Sequence, residues 1–283
     1  MSTVHPPRAA VREAVARALA EDIGALGDLT ASLIPVHQRA TGAIVAREEG
    51  VLAGCAAATE VFHQVDPALE VRWQADDGHE VGPGQTLAHV EGPLASMLTA
   101  ERTALNFLQH LSGVASTTRH WVRATQGKAR IWDTRKTTPG LRALEKAAVR
   151  AGGGANHRGS LSDFVMVKDN HLTGITIEEA VDRARLHWPG RTVEVECDTH
   201  DQVKQAVEAG ADVVLLDNMS PQEVSACVST IHGRCLVEVS GGVTMETLGQ
   251  YLDLGVDLIS AGSITNSAPV LDIGLDIEIA GRA

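Results

Sequence analysis

Six short apolar runs recur along residues 129–264, and each is followed by polar residues or glycine and then by a helix-like segment. The runs are ARIWDTRK, DFVMVKDN, TVEVECDT, DVVLLDNM, CLVEVSGG and DLISAGSI. Continuous Val, Leu and Ile runs of this kind predict strands that are covered on both faces, as in a parallel sheet wrapped by helices. Because six units are too few for a closed eight-unit barrel, we predict an incomplete α/β barrel, with a doubly wound open sheet as the alternative.

A different pattern precedes these runs. Helical spacing of apolar residues predicts an amphipathic helix over residues 8–20 and a second helical segment over residues 94–126. Between them, residues 41–93 are typical of short strands broken by glycine. The change of pattern predicts two domains, a compact sheet-containing one followed by the barrel.

The charge balance restricts the classes of partner. The chain has 36 Asp and Glu against 24 Lys and Arg, a formal net charge of -12. Nucleic acids and anionic membranes require an extended basic surface, so we expect neither as a partner. No stretch approaches about 18 uninterrupted apolar residues, and the N-terminal segment carries charges within its apolar pattern, unlike a signal peptide. These features predict a cytoplasmic location.

One segment departs from the acidic background. Residues 130–158 contain seven Lys or Arg against two acids, a net charge of +5. Within it, Arg135 and Lys136 directly follow the first apolar run. A local concentration of positive charge in an acidic protein indicates a small anionic ligand.

In α/β barrels the chemistry lies at the carboxyl ends of the strands, so the residues after each run form one candidate site. They are Arg135 and Lys136, then Lys168, Asp169 and Asn170, Glu196 and Asp198, Asp217 and Asn218, Ser240 to Gly242 (Ser240, Gly241, Gly242), and Ala261 to Ser263 (Ala261, Gly262, Ser263). The two glycine-containing loops each precede a helix, and their backbone N–H groups could hold a phosphate. Glu196 and Asp217 offer hard oxygen ligands that suit Mg²⁺.

Six segments together resemble the quinolinate phosphoribosyltransferases, also called nicotinate-nucleotide pyrophosphorylases (carboxylating). They are ERTALNFLQHLSGVAS, DTRKTTPGLRALEKAAVRAGGGANHRGSLSDFVMVKDNH, VEVECDT, VVLLDN, VEVSGGV and LISAGSITNSAPVLDIGLDI. The resemblance implies transfer of phosphoribose from phosphoribosyl pyrophosphate to quinolinate with loss of CO₂, giving nicotinate mononucleotide and pyrophosphate in de novo NAD synthesis. It also implies an N-terminal α/β sandwich over residues 1–115, an incomplete α/β barrel with the active site over residues 116–270, and a tail, residues 271–283, that packs back on the N-terminal domain.

The same resemblance implies roles for individual residues. Arg135, His157 and Arg158 would hold the two carboxylates of quinolinate, together with Arg102 from the neighbouring subunit of a homodimer with shared active sites or of a higher assembly. Thr134 would also bind substrate, and Lys136 and Lys168 would face pyrophosphate and ribose. Glu196 and Asp217 would act on Mg²⁺ and the ribose hydroxyls, and the two glycine loops would bind the 5′-phosphate. The residues counted as catalytic are Lys136, Lys168, Glu196 and Asp217.

Two kinds of alternative stay open on the sequence. One is a related phosphoribosyltransferase-like protein of the molybdenum-transport type, and another is a barrel lyase acting on a phosphorylated metabolite. A lyase of the aldolase type requires a Schiff-base lysine in an apolar pocket, and Lys168 is the strand-borne candidate. A carrier or binding module is disfavoured, because residues 41–98 contain no lysine to carry a prosthetic group.

Overall fold

The computed structural model describes residues 5–279. Within that range the chain divides into two compact units. The first unit comprises the residues up to Arg119, Thr137–Gly153 and the residues from Ile264 onward, and the second comprises His120–Lys136 and Gly154–Ser263. The predicted domain bounds at residues 115 and 270 stay a prediction, and residues 280–283 of the predicted tail lie outside the described range.

The helices and strands follow one another along the chain. In order they are α1 (Arg8–Ile23), β1 (Arg39–Ala46), β2 (Gly50–Val51), α2 (Cys55–Val65), β3 (Glu70–Trp73), β4 (Glu80–Val81), β5 (Thr86–Pro93), α3 (Leu94–Ala124), β6 (Arg130–Trp132), α4 (Arg142–Ala151), β7 (Val165–Val167), α5 (Ile177–His187), β8 (Val193–Cys197), α6 (His200–Glu208), β9 (Val213–Asp217), α7 (Pro221–Ile231), β10 (Leu236–Ser240), α8 (Met245–Leu248), β11 (Leu258–Ser260), α9 (Ser263–Asn266) and β12 (Ile273–Ile279). No helix among residues 5–279 is long and apolar enough to cross a membrane.

The first unit contains a four-stranded antiparallel sheet in the order β12-β1-β5-β3. Strand β12, from the predicted tail, pairs with β1 from Ala40 opposite Ile279 to Ala46 opposite Ile273. The sequence pattern missed α2, which lies within the region assigned to short strands. Its buried face contains Val61 and Phe62, and the preceding Gly54 has φ of 99°, which glycine adopts without strain.

The second unit contains a six-stranded parallel sheet in the order β6-β11-β10-β9-β8-β7. The six strands are those predicted from the six apolar runs. From β7 to β11 each strand hydrogen-bonds to the next one in the chain, and β6 joins the far edge beside β11. This is the strand order of a barrel in which β6 and β7 do not pair, so the incomplete barrel is confirmed. The doubly wound alternative is wrong, because that fold needs a reversal of strand order.

Capping side chains begin two of the helices in this unit. Thr199 and Ser220 cap α6 and α7 by accepting hydrogen bonds from the backbone N–H groups of Gln202 and Glu223. At the end of α7, His232 is the first residue in the left-handed conformation, with φ of 50°, and Gly233 follows with φ of 73°. Two residues in the strands are unexpected, because Glu194 and Glu238 are completely buried in the sheet interior.

Candidate functional site

A cavity of about 300 Å³ opens at the carboxyl ends of the parallel strands of the second unit. Eight predicted site residues line it: Thr134, Arg135, Lys136, His157, Arg158, Lys168, Glu196 and Ser240. Four other lining residues were not predicted: Met166, Leu215, Glu238 and Ser260. The structure therefore brings together residues that are separated by up to 126 positions in the sequence, from Thr134 to Ser260.

Asp133 organises one wall of this cavity. Its side chain is completely buried at the end of β6 and accepts hydrogen bonds from the backbone N–H of His157 at 2.9 Å and from Nδ2 of Asn156 at 2.6 Å. These bonds attach the loop before β7 to the end of β6. Asp133 was not predicted to take part in the site, and its position in DTRK beside the two cations was the available signal.

His157 is held on several sides. Its ring meets Trp132 edge to face with centroids 5.3 Å apart, and it lies 4.9 Å from the ring of Phe164. Its Nε2 atom lies 3.1 Å from Oε2 of Glu194 and 3.8 Å from Oε2 of Glu238. The imidazole is 7% exposed, so its orientation is set by these neighbours rather than by water.

Arg135 lies close enough to Arg158 for its positive charge to act on the Arg158 guanidinium. Burial, and then the positive charge of Arg135, lower the pKa of Arg158. The Arg158 guanidinium lies 5.9 Å from the centroid of the Phe164 ring, and its Nη2 atom donates to Sδ of Met166. Two guanidinium groups brought together at a cavity repel each other, and an anion between them would relieve that repulsion.

The opposite wall carries a lysine and an acid. Lys168, which follows β7, makes an ion pair through Nζ with Oε2 of Glu196 near the end of β8. The Lys168 side chain is 37% exposed and the Glu196 side chain 14%. A charged lysine in this setting does not match the apolar pocket of a Schiff-base lysine.

Two glutamates lie beneath this wall. Burial raises the pKa of Glu194 to about 7, while burial and then the negative charge of Glu194 raise the pKa of Glu238 to about 8. Oε1 of Glu194 and both carboxyl oxygens of Glu238 meet no hydrogen-bond donor among the described residues. Two buried carboxyls this close hold a proton between them more readily than they both ionise.

The positions of these two glutamates in the sequence indicate that they lie beneath the cavity. Side chains two residues apart in a strand face the same side of the sheet. Glu194 precedes Glu196 by two residues, and Glu238 precedes Ser240 by two, so each lies one layer below a residue that lines the cavity. A charged residue in the middle of an apolar run was the indication.

The remaining predicted residues occupy the ends of neighbouring strands. Asp217 ends β9, Gly241 and Gly242 follow β10, and Ala261 to Ser263 follow β11. Gly241 and Gly242 have φ of 78° and 65°, a left-handed conformation that favours glycine. Arg102 lies on α3 in the first unit, where its side chain is exposed.

The glycines of the two loops are not equivalent. A Cβ atom on Gly241 would lie 2.3 Å from Oδ1 of Asn218, and one on Gly262 would lie 2.8 Å from Cδ of Lys136. A Cβ atom on Gly242 would meet nothing within 4 Å. Gly242 therefore faces open space. Gly241 leaves room for the side chain of Asn218, and Gly262 leaves room for that of Lys136.

The positive segment is divided between the two units. Arg135, Lys136 and Arg158 line the cavity, whereas Arg142, Lys146 and Arg150 lie on α4 in the first unit. Lys168, from outside that segment, supplies a further cation at the cavity. The segment therefore contributes fewer positive charges to the cavity than its net charge of +5 indicates.

Glu196 and Asp217 are the predicted metal ligands. Their strands are neighbours, with Glu196 paired opposite Leu215, two residues before Asp217. Among the described residues, the one group of three or more candidate ligand side chains comprises His157, Glu194 and Glu238. A Mg²⁺ ion held through one or two carboxylates and substrate oxygens does not need a larger protein cluster.

The chain matches two domain models of one family. Residues 28–112 match the N-terminal domain of quinolinate phosphoribosyl transferase, and residues 114–276 match its C-terminal domain. Together these matches cover most of the chain.

Individual relatives agree with the domain matches. The probable nicotinate-nucleotide pyrophosphorylase (carboxylating) of Bacillus subtilis is 42% identical over 267 residues, 93% of this chain and 92% of the relative. The nicotinate-nucleotide pyrophosphorylase (carboxylating) of Mycobacterium leprae is 40% identical over 95% of this chain and 97% of its own. The solved structure of the nicotinate-nucleotide pyrophosphorylase of Francisella tularensis superposes with a TM-score of 0.93 at 38% identity, covering 98% of this chain and 99% of that one. Because the two domain models and relatives of about 40% identity cover nearly the whole length, the chain belongs to the quinolinate phosphoribosyl transferase family.

Proposed function

We propose that this protein transfers phosphoribose from phosphoribosyl pyrophosphate to quinolinate and releases CO₂, giving nicotinate mononucleotide and pyrophosphate. The observation that carries the proposal is the convergence of Arg135, Lys136, His157, Arg158 and Lys168 on one cavity at the strand ends. Quinolinate is a dianion, and the co-substrate carries a phosphate and a pyrophosphate. A cavity with this many cationic or hydrogen-donating side chains matches the charge of both substrates.

The two arginines suit the pyridine carboxylates. A guanidinium can donate two parallel hydrogen bonds to one carboxylate, and each hydrogen bond to a charged group contributes about 1.5–3 kcal/mol. The positive charge of Arg135 is close enough to lower the pKa of Arg158, and two carboxylates on adjacent ring carbons require two cations this close. His157, fixed by Glu194, would add a third contact.

Lys136 and Lys168 would serve the co-substrate. Lys136 follows Arg135 directly and both line the cavity, so the two cations could hold neighbouring anions. We assign Lys136 and Lys168 to pyrophosphate and ribose, with Thr134 beside them. The loops Ser240 to Gly242 and Ala261 to Ser263 would bind the 5′-phosphate through backbone N–H groups, as in other anion sites built from backbone amides.

Catalysis would consist mainly of positioning and charge stabilisation. Bond cleavage at the ribose gives an oxocarbenium-like centre, which the pyridine nitrogen captures. The positive ring nitrogen then stabilises the electron pair left on the adjacent carbon when CO₂ departs, and that carbon takes a proton from water to give nicotinate mononucleotide. None of these steps needs a side-chain nucleophile, and the ion pair between Lys168 and Glu196 favours this reaction over a Schiff-base lyase.

We propose Mg²⁺ as the metal, with Glu196 and Asp217 as its acidic neighbours. Carboxylate oxygens fit this hard cation, and in such sites a few carboxylates act together with substrate phosphates. When bound, Mg²⁺ would neutralise charge on the departing pyrophosphate. Glu196 and Asp217 would also accept hydrogen bonds from the ribose hydroxyls.

We further propose a homodimer, or a higher assembly built from it, in which Arg102 of one subunit completes the site of the other. Exposed apolar side chains in the segment after α1 support association with another chain, since a large apolar patch on a surface commonly marks an interface. They are Leu26 at 83%, Leu29 at 66%, Leu33 at 82% and Val36 at 99% exposure. The location proposed for the protein is the cytoplasm.

The decisive assay measures CO₂ released from quinolinate labelled at the carboxylate next to the ring nitrogen. Release must depend on both phosphoribosyl pyrophosphate and Mg²⁺. Quinolinate-independent turnover of another phosphorylated metabolite would favour the lyase. Absence of CO₂ release with both substrates present would favour the molybdenum-transport type, although the names of the relatives support the quinolinate enzyme.

A further inference from the structure

Asn218 has an uncommon backbone conformation at the point where β9 ends. Its φ is 54°, and among the described residues two other non-glycine positions share a positive φ, Gln126 at 52° and His232 at 50°. Asparagine tolerates the left-handed region better than most residues, yet the conformation persists only where the surroundings favour it. The conformation turns the chain from Asp217 toward Ser220, the N-cap of α7.

The contacts of Asn218 connect two parts of the proposed site. Its Nδ2 atom donates a hydrogen bond to Oδ2 of Asp217 at 2.7 Å. Its backbone N–H donates to the carbonyl oxygen of Ser240 at 3.0 Å. One residue therefore touches both the carboxylate at the end of β9 and the first residue of the glycine loop at the end of β10.

Gly241 completes this arrangement. A Cβ atom at residue 241 would lie 2.3 Å from Oδ1, 2.6 Å from Cγ and 2.8 Å from the backbone nitrogen of Asn218. Real Cβ atoms do not approach other atoms this closely, so a side chain on residue 241 would displace Asn218. The neighbouring Gly242, in contrast, has open space where its Cβ would be.

We propose that Asn218 is a positioning residue that orients the Asp217 carboxylate and ties it to the Ser240–Gly242 loop. The inference rests on the proposed function, in which Asp217 serves the ribose and Mg²⁺ and the loop serves the 5′-phosphate. By linking Asp217 to the loop, Asn218 fixes the distance between the group that serves the ribose and the group that serves the 5′-phosphate. Gly241 acts through Asn218, by leaving space for its amide.

The test compares three variants with the wild type. Asn218→Gly removes the side chain and keeps both the backbone donor and the left-handed conformation. Asn218→Asp keeps the size but replaces the donor with an acceptor that repels Asp217. The third, His232→Gly, is the matched control, because His232 has nearly the same φ but lies exposed at the end of α7.

Two measurements that need no turnover are made, titration of every variant and crystallography of one. Isothermal titration gives the affinity for phosphoribosyl pyrophosphate with Mg²⁺ and, separately, for quinolinate. A crystal structure of Asn218→Gly gives the orientation of the Asp217 carboxylate. Loss of an outer residue that orients a ligand group costs about 10- to 100-fold in affinity or activity, so both Asn218 variants should lose co-substrate affinity by that factor. Quinolinate affinity should stay within about twofold of the wild type, and His232→Gly should match the wild type in both.

Three results would overturn the inference. The first is an Asn218→Gly protein that binds the co-substrate normally while Asp217→Ala does not. The second is a loss of equal size in His232→Gly, which would assign the effect to backbone flexibility. The third is an unchanged Asp217 carboxylate in the variant crystal. Failure of the proposed function can be distinguished from failure of this inference. If the wild type releases no CO₂ from quinolinate, the proposed function is wrong, and the orientation of the Asp217 carboxylate in the Asn218→Gly crystal still tests the role of Asn218.

Discussion

Nε2 of His157 lies 3.1 Å from Oε2 of Glu194, and both side chains are buried at the cavity in the second unit. With Glu238 beside them, a histidine and two carboxyls share a region from which water is excluded. Barrel interiors are usually filled by Val, Ile and Leu, so these glutamates are an exception to the normal packing. The exception makes the stability of the protein dependent on pH.

We predict that the free energy of unfolding falls as pH rises from about 5 to about 8. The pKa values of Glu194 and Glu238 are raised to about 7 and about 8 from 4.5, so the folded chain holds protons that the unfolded chain has lost. This stabilisation is fully present below pH 4.5 and is lost as pH rises through the folded values. Each such proton gives a slope of about 1.4 kcal/mol per pH unit.

Urea unfolding of the wild type and of Glu238→Gln at several pH values checks this prediction. The amide of glutamine cannot ionise, so the variant should show a shallower fall of stability with pH. Glu208→Gln is the control, because Glu208 is exposed at the end of α6 and outside the cluster. Equal slopes for the wild type and Glu238→Gln would contradict the assignment of the proton to the buried pair.

Arg135→Lys should weaken quinolinate binding by about 10- to 100-fold. An ammonium loses the planar two-point grip of a guanidinium, and the loss of one hydrogen bond to a charged group is worth about 1.5–3 kcal/mol. Nicotinic acid, which lacks the second carboxylate, should bind poorly to both proteins. Arg130→Lys, at the opposite end of β6, is the control, and a similar loss there would show that the effect is not specific to the cavity.

Glu196→Ala and Asp217→Ala should each lower kcat by about a hundredfold, the size typical for loss of a group that stabilises charge in a transition state. Quinolinate affinity measured without co-substrate should change far less. The comparison variant is Asp201→Ala, an exposed acid in the first turn of α6. Near-normal turnover of both site variants at saturating Mg²⁺ would remove these acids from the mechanism.

Gly242→Val should reduce affinity for the co-substrate while the protein stays folded. The new side chain would point into the open space at this loop, where the proposed 5′-phosphate would lie. Gly210→Val is the matched control, since Gly210 also has a positive φ, 79°, and open space around its Cβ position. A phosphate found elsewhere in a product complex, or equal affinity in both variants, would contradict the placement.

The shared site is tested with mixed dimers in which one chain carries Arg102→Ala and the other Arg135→Ala. If Arg102 reaches the neighbouring subunit, one of the two sites has both arginines and about half of the activity remains. If both arginines serve the site of their own chain, each site lacks one of them and the mixed dimer is nearly inactive. Native mass spectrometry confirms the composition of the dimers before the assay.

The sequence by itself determined the parallel strands, their order along the chain and the residues that follow them. These features depend on local properties, namely continuous apolar runs and the hydrogen bonds of Thr199 and Ser220 at helix starts. The prediction of short strands was wrong for the alanine-rich run that forms α2, because the local signal in that run was mixed. The resemblance to a family supplied the roles, which no local pattern contains.

Only the tertiary structure decided which of these residues share a cavity. It brought Glu194 and Glu238 to His157, attached the His157 loop to Asp133, and included α4 with its three cations in the first unit. Gly241 packs against Asn218, although more than twenty positions separate them. Such contacts depend on strand register and on which way each side chain faces, and both are settled when the whole sheet assembles and buries its interior.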